Sequence, residues 1–527
     1  MILHPKYEKT LWLLSILTIL ISLFLNLGVQ PLYLEEPRRA FISMEMYQNG
    51  NWYVPTLWGQ LYYNKPPFFN WILMLSASLF GGFSEWAMRL PTVLSHLLMG
   101  ASIYLFFRKY STEIIARYTA FLWLVNGGLL FYFSTLAEID IFFSLLIFLG
   151  IISIYHFAQQ EKWWALFPTV YSLAGFAFLC KGIPAFIFAA WSLFIFFLWK
   201  RKFKKLFHPA HFAGITIFGL LVGGYFYIYS QHSDPRPFLT NLWSESSQRT
   251  AAENSSLKFI FHLLTFPFEV LTQLLPALFL FPFMIKRKIG QQLLKHELAV
   301  FCGLMLLGNL IPYWLSPGTR MRYIYMLLPF GIFLLVLVWQ ANKESSKQWQ
   351  KKLKDILIGV PIFVFTLAAI GLYFVPDLDF LPYRLILSIA LFIGFSLIAG
   401  LFYFNPSLRM LLLILSFGVA RIAFDLTVLP QRAYQSGAQE NKEMAKRFHD
   451  FTQDAPLLIV GDEKIFSYTS TYYLNRLRKE AIKSEINPAF QSSTFYIISQ
   501  DQIPPKAQVL ERYTYDQKPI ALIQIAE

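Results

Sequence analysis

The stretch that decides the fold is Leu11–Val29, LWLLSILTILISLFLNLGV, together with its exit through Gln30–Arg39, QPLYLEEPRR. The apolar run carries no charge, and at 1.5 Å per residue its length roughly matches a ~30 Å hydrocarbon core. Lys6 and Lys9 precede it, and it is longer than a signal-peptide core. No small-x-small cleavage site follows, so it reads as a first permanent span rather than a cleaved leader. Directly after it, Glu35, Glu36, Arg38 and Arg39 crowd four charges into five positions.

Working outward, twelve more apolar runs follow, at 87–107, 114–133, 141–158, 163–180, 183–199, 211–230, 262–285, 297–315, 321–340, 355–375, 384–404 and 409–429. The expected fold is therefore an all-α polytopic membrane protein of about thirteen transmembrane helices. Composition agrees: 56% of residues are hydrophobic and only 14% charged, with a mean hydropathy of +0.46. A soluble domain carries about 25% charged residues. The net charge of +14 does not point to nucleic acid, because the basic residues fall in short runs between the apolar stretches. With a cytoplasmic N-terminus, about twenty of them lie in cytoplasmic loops, among them Arg108 and Lys109, Lys200 to Lys205, and Lys343 to Lys354. That bias is the positive-inside rule, and it suits anionic lipid headgroups. Cys180 and Cys302 lie in or beside apolar runs and read as packing residues.

An odd number of spans puts the C-terminus on the extracytoplasmic side. The chain divides into a membrane part, 1–429, and a polar tail, 430–527. In the tail, short apolar runs such as Leu457–Val460, Phe495–Ile498 and Ile520–Ile525 flank a helical stretch, which predicts a small α/β domain.

Chemistry is expected in the extracytoplasmic segments. The first, about 33–86, is rich in aromatics, including Trp52, Tyr53, Trp58 and Trp71, and is expected to fold over the membrane and roof a cavity. Its paired acids Glu35 and Glu36 are either ion partners for Arg38 and Arg39 or carboxylates that take a proton or steady charge at a sugar carbon. Glu138 and Asp140 are acids set among apolar residues, costly beside hydrocarbon unless they face a polar cavity. Lys65, Lys181, Arg249, Arg320 and Arg322 are cations on the side where positive charge is normally depleted. Together they suit a phosphate at the membrane interface, since arginine presents a planar fork to phosphate oxygens.

These residues form an ordered series of motifs: Glu35-Glu36-Pro37-Arg38; Met44-Glu45-Met46; Asn49-Gly50-Asn51-Trp52-Tyr53-Val54-Pro55; Tyr62-Tyr63-Asn64-Lys65-Pro66-Pro67; Glu85-Trp86-Ala87-Met88-Arg89-Leu90-Pro91; Phe178-Leu179-Cys180-Lys181-Gly182; and Leu315-Ser316-Pro317-Gly318 with Arg322-Tyr323. The series resembles the dolichyl- and polyprenyl-phosphate-sugar glycosyltransferases, in particular the bacterial branch that contains the 4-amino-4-deoxy-L-arabinose lipid A transferase. The resemblance implies a GT-C fold and a polyprenyl-phosphate sugar donor. It also implies transfer to a lipid, glycan or protein acceptor at the outer face of the inner membrane. By position, Glu35 matches the catalytic aspartate, Glu36 the following glutamate, Arg38 the motif arginine and Asp140 an acid that shapes the site. Tyr62, Lys65, Arg249 and Tyr323 fall where the branch contacts the carrier phosphate. Two departures stand out: Glu35 is one methylene longer than the usual aspartate, and Asn64 replaces a glutamate that helps bind a metal. The part of the third extracytoplasmic loop that matches, around Ser244, offers no obvious histidine to complete such a site, so no metal and no cofactor are expected. Two rival readings remain, a lipid-linked sugar transporter and a non-catalytic paralogue. The transporter lacks support from any internal repeat.

Overall fold

The computed structural model describes residues 5–250, 256–285, 288–461, 466–515 and 518–525, without the side chains of residues 5, 6, 246–250 and 256. Among the described residues, ten helices are long and apolar enough to cross a membrane, from Tyr7–Phe24 and Glu85–Tyr110 through Pro406–Gln435. Two further helix pairs are bent, Glu113–Leu124 with Gly127–Thr135 by 43° and Leu257–Thr272 with Ala277–Met284 by 111°. The run expected at 183–199 is a helix of 16 residues, Pro184–Trp199, short for a full crossing. The thirteen apolar runs thus resolve into ten spans, two bent pairs and one short helix.

The two bends support each other. Asn126 interrupts the first pair, and its amide nitrogen donates to the carbonyls of Gln273 and Leu275 at 2.5 and 3.1 Å. Those carbonyls lie at the break of the second pair. In an apolar surrounding an unsatisfied carbonyl is costly, so one side chain here offsets two helix interruptions. The first helix, Pro5–Phe24, also ends earlier than its apolar run. Beyond it Asn26 adopts φ +54° and donates its side-chain amide to the Asp425 carbonyl at 2.8 Å.

The segment after this helix reverses through Leu34, at φ +59°, and enters the helix Glu36–Gln48, with Pro37 in its first turn. A two-stranded hairpin follows, β1 (Thr56–Leu57) and β2 (Gln60–Leu61), then the helix Phe68–Leu79. The sequence expectation of a folded first loop holds. Its anchor is Glu36, which is fully buried, paired with Arg89 at 2.8 and 2.9 Å.

The C-terminal part carries five strands: β3 (Leu457–Val460), β4 (Lys483–Glu485), β5 (Phe495–Ser499), β6 (Ala507–Tyr515) and β7 (Lys518–Ile525). They form one mixed sheet in the order β4-β3-β5-β7-β6, with β3 parallel to β4 and β5 and β7 antiparallel to β5 and β6. The expected boundary at 429/430 falls inside a helix, because Arg409–Gln435 continues through Pro430. The break comes at Ser436, whose hydroxyl caps the next helix, Gly437–Thr452, by accepting from the Gln439 amide at 3.3 Å.

This part is fastened to the first loop. Trp58 donates to the Thr471 hydroxyl at 3.1 Å, and its carbonyl accepts from the Ser484 amide at 3.1 Å. Glu85 gathers the Tyr473 hydroxyl, Lys442 and Arg476 at 3.0, 2.6 and 2.9 Å. One continuous apolar core runs from the membrane helices into the sheet.

Replacing Arg89 with Met leaves the Glu36 carboxylate buried without its cation, a loss of about 3–5 kcal/mol. Adding Glu36→Gln is expected to recover part of it. Denaturant unfolding in detergent micelles, single variant against double, measures both.

Candidate active site

Glu36 uses both carboxylate oxygens inside the fold. Oε1 accepts from Arg89 Nε and the Ala137 amide, at 2.8 and 2.6 Å, and Oε2 from Arg89 Nη2 and the Tyr33 amide, at 2.9 and 3.2 Å. Arg89 spends its remaining N–H groups on the carbonyls of Leu27, Gln30 and Pro31. Glu36 therefore does not line the cavity, which corrects its place among the expected catalytic acids. It is an anchor, and its saturation by four donors explains why.

Glu35, one residue earlier, faces the other way. It lines a polar cavity of about 870 Å³ together with Arg38, Arg39, Tyr62, Asn64, Lys65, Glu138, Asp140, Lys181, Glu245, Arg320, Arg322 and Tyr323. Of the residues expected from sequence, all except Glu36 and Arg249 thus meet here. The side chain of Arg249 lies outside the described residues. Arg39, Glu138 and Glu245 were not among the expected site residues. Arg39 read as an ion partner of the paired acids, while Glu138 and Glu245 matched no motif; isolation among apolar residues was the available signal for Glu138.

The cavity's charges are arranged in pairs. Glu35 pairs with Arg38, whose guanidinium lies 5.9 Å from the centre of the Tyr468 ring, so the C-terminal part reaches the site. Lys65 and Glu245 are 2.5 Å apart. Asp140, in the first turn of the helix Ile139–Gln159, pairs with Lys181 and lies 3.6 Å from Arg322. The Lys181 ammonium sits 4.3 Å over the Tyr323 ring. Glu138 lies just before that helix, 3.8 Å from Arg322. Burial pushes its carboxyl up to about 7; Arg39 and Arg322 oppose the shift and the Asp140 charge adds to it.

A second, apolar cavity of about 1000 Å³ adjoins the first. Ile183, Pro184, Ile187, Phe188 and Trp191 of the short helix and its approach line it with Pro312 and Tyr313. Lys65, Lys181, Glu245, Gly318 and Tyr323 border both cavities. Cations at the seam between a polar chamber and an apolar groove suit a lipid with a phosphate head, the tail in the groove and the head against Lys65 and Lys181.

The metal that the resemblance implies does not fit these residues. Asn64 Oδ1 accepts from the Asn241 amide at 3.2 Å, and the Glu245 carboxylate is held by Lys65. Among the described residues no group of three or more His, Cys, Asp or Glu has the arrangement of a metal site.

Lys65→Met removes a cation from the seam and leaves Glu245 facing the incoming anion. A lipid with a phosphate head is expected to bind at least about tenfold more weakly, since a charged hydrogen bond contributes about 1.5–3 kcal/mol. Native mass spectrometry with graded lipid measures this.

Residues 64–223 match the family described as dolichyl-phosphate-mannose-protein mannosyltransferase. An uncharacterized protein of Aquifex aeolicus is 24% identical over 406 residues, 75% of this chain and 77% of that one. The undecaprenyl phosphate-alpha-4-amino-4-deoxy-L-arabinose arabinosyl transferase 2 of Pseudomonas fluorescens is 25% identical over 372 residues, 67% of this chain. The match spans 61% of that enzyme's length, and 47% of its counterpart in Pseudomonas savastanoi. The crystal structure of ArnT from Cupriavidus metallidurans bound to undecaprenyl phosphate superposes with a TM-score of 0.68 at 17% identity, covering 98% of both chains. The chain is a multi-pass membrane protein with a GT-C fold that resembles the bacterial undecaprenyl phosphate-alpha-4-amino-4-deoxy-L-arabinose arabinosyl transferases in sequence and ArnT in fold.

Proposed function

We propose that this protein is a glycosyltransferase that moves a sugar from a polyprenyl-phosphate donor to a lipid, glycan or protein acceptor at the outer face of the bacterial inner membrane. The single observation that carries this reading is the seam of Lys65, Lys181 and Tyr323, where a polar chamber meets an apolar groove. Support comes from its Pseudomonas relatives, arabinosyl transferases named for undecaprenyl phosphate-alpha-4-amino-4-deoxy-L-arabinose. The same reading takes a cytoplasmic N-terminus from the basic loops, which sets the chamber on the outer side. The membrane-embedded part then ends with the helix Arg409–Gln435, and the sheet domain beyond Ser436 sits on that outer side.

In this mechanism the acceptor attacks the anomeric carbon of the donor while the bond to the carrier phosphate breaks. Negative charge grows on the departing polyprenyl phosphate. Lys65, Arg38 and Arg322 offset it, and because the charge is largest in the transition state they speed the step rather than only tightening binding. Glu35, held by Arg38, orients the acceptor or takes its proton.

A strain lacking the gene is expected to lose a glycosyl mass from one envelope component, restored by the wild-type gene. Lys65→Met is expected to restore it about 10²–10³-fold more slowly. Mass spectrometry of lipid A and envelope glycans reads both, and an unchanged profile in the deletion strain overturns the proposal.

A further inference from the structure

Four carboxylates line the polar chamber among the described residues, and three of them are clamped by a cation at ion-pair contact: Glu35 by Arg38, Asp140 by Lys181 and Glu245 by Lys65. The fourth, Glu138, has its nearest ion-pair partner, Arg322, at 3.8 Å, beyond hydrogen-bond reach. We propose that Glu138 is the proton acceptor of the transfer, taking the proton of an acceptor hydroxyl group. The assignment rests on the transferase reading above and deepens it.

A carboxylate held against an ammonium or guanidinium is a weak base, because the cation stabilises the charged form. Glu138 is placed otherwise. It is only 3% exposed yet borders the chamber, and its backbone is fixed by the Thr92 hydroxyl, which donates to the Glu138 carbonyl at 3.2 Å. The charged groups that face it are Arg39, Arg322, Asp140 and Glu35. Burial outweighs the two arginines and brings its carboxyl to about 7, the range in which a general base works best at neutral pH.

The step balances as follows. The acceptor O–H proton passes to a Glu138 carboxylate oxygen, and the acceptor oxygen forms a bond to the anomeric carbon. The bond from that carbon to the carrier oxygen breaks, its electron pair leaving on the polyprenyl phosphate. Glu138 then releases its proton to water through the chamber. Glu35 is left to orient the acceptor through its pair with Arg38.

Two measurements on the full-length protein test this. In the first, deletion-strain membranes supply the acceptor and a lipid extract of wild-type cells supplies the donor. The transfer rate is expected to rise about tenfold per pH unit up to about pH 7 and then level off. Glu138→Gln is expected to lower the plateau at least about 100-fold and abolish the acidic limb, with undecaprenyl phosphate binding kept within about threefold. Glu138→Asp is expected to retain the limb at a shifted pH. An acidic limb that persists in Glu138→Gln overturns the assignment, as does a Glu138→Asp limb that does not move. In the second, infrared difference spectra between about pH 5 and about pH 9 follow the protonated-carboxyl band, with no substrate present. A band titrating near 7 in the wild type and missing from Glu138→Gln supports Glu138; the same band kept in Glu138→Gln overturns it. A wild type that binds undecaprenyl phosphate and transfers nothing overturns the transferase reading instead.

Discussion

The buried pair of Glu36 and Arg89 is the constraint on which the site depends. Removing both charges from water costs several kcal/mol per ion, offset here only because nearly every donor and acceptor of the pair is engaged. Arg89 collects the carbonyls left over where the first span unwinds at Leu27, Gln30 and Pro31, while Glu36 takes the amides of Tyr33 and Ala137. One ion pair thus fastens the exit of the first span, the start of the helix Glu36–Gln48, the first turns of the helix Glu85–Tyr110 and the approach to Asp140. The left-handed turn at Leu34 is a strained conformation for a non-glycine residue, and this network holds it in place. With Glu36 turned inward, Glu35 is turned into the chamber.

The sheet domain belongs to the same assembly. Tyr468 lies over the Arg38 guanidinium and stacks on Trp58 at 5.0 Å, and Trp58 is bonded to Thr471. The arginine beside Glu35 is therefore positioned from outside the membrane part. An accessory domain attached by a linker would leave no such trace in the chamber.

Charge in the chamber is unequal by design of the chain. Six cations, Arg38, Arg39, Lys65, Lys181, Arg320 and Arg322, face four carboxyl groups, an excess of two positive charges among the described lining residues when all four are ionised and of three when Glu138 is protonated. A polyprenyl-phosphate sugar carries one negative charge, and the departing phosphate approaches two near neutral pH. In the proposed transfer this fixed positive charge opposes the negative charge that grows on the departing phosphate, which is the direction in which fixed charges accelerate a step.

The sequence by itself determined the membrane class, the C-terminal sheet domain and most of the chamber's cations, since these rest on hydropathy, span length and the rarity of charge beside apolar runs. It also picked out Glu35 through a motif and Asp140 as an acid set among apolar residues. It could not separate Glu35 from Glu36, because adjacent residues share every local signal and only packing against Arg89 decides which one faces inward. Nor did it show the bends at Asn126 and Gln273, whose lost backbone hydrogen bonds are made up by contact between segments far apart in the chain. Glu138 became distinct only in three dimensions. Its sequence context resembles that of Asp140, and the difference lies in which of the two a lysine from another helix reaches.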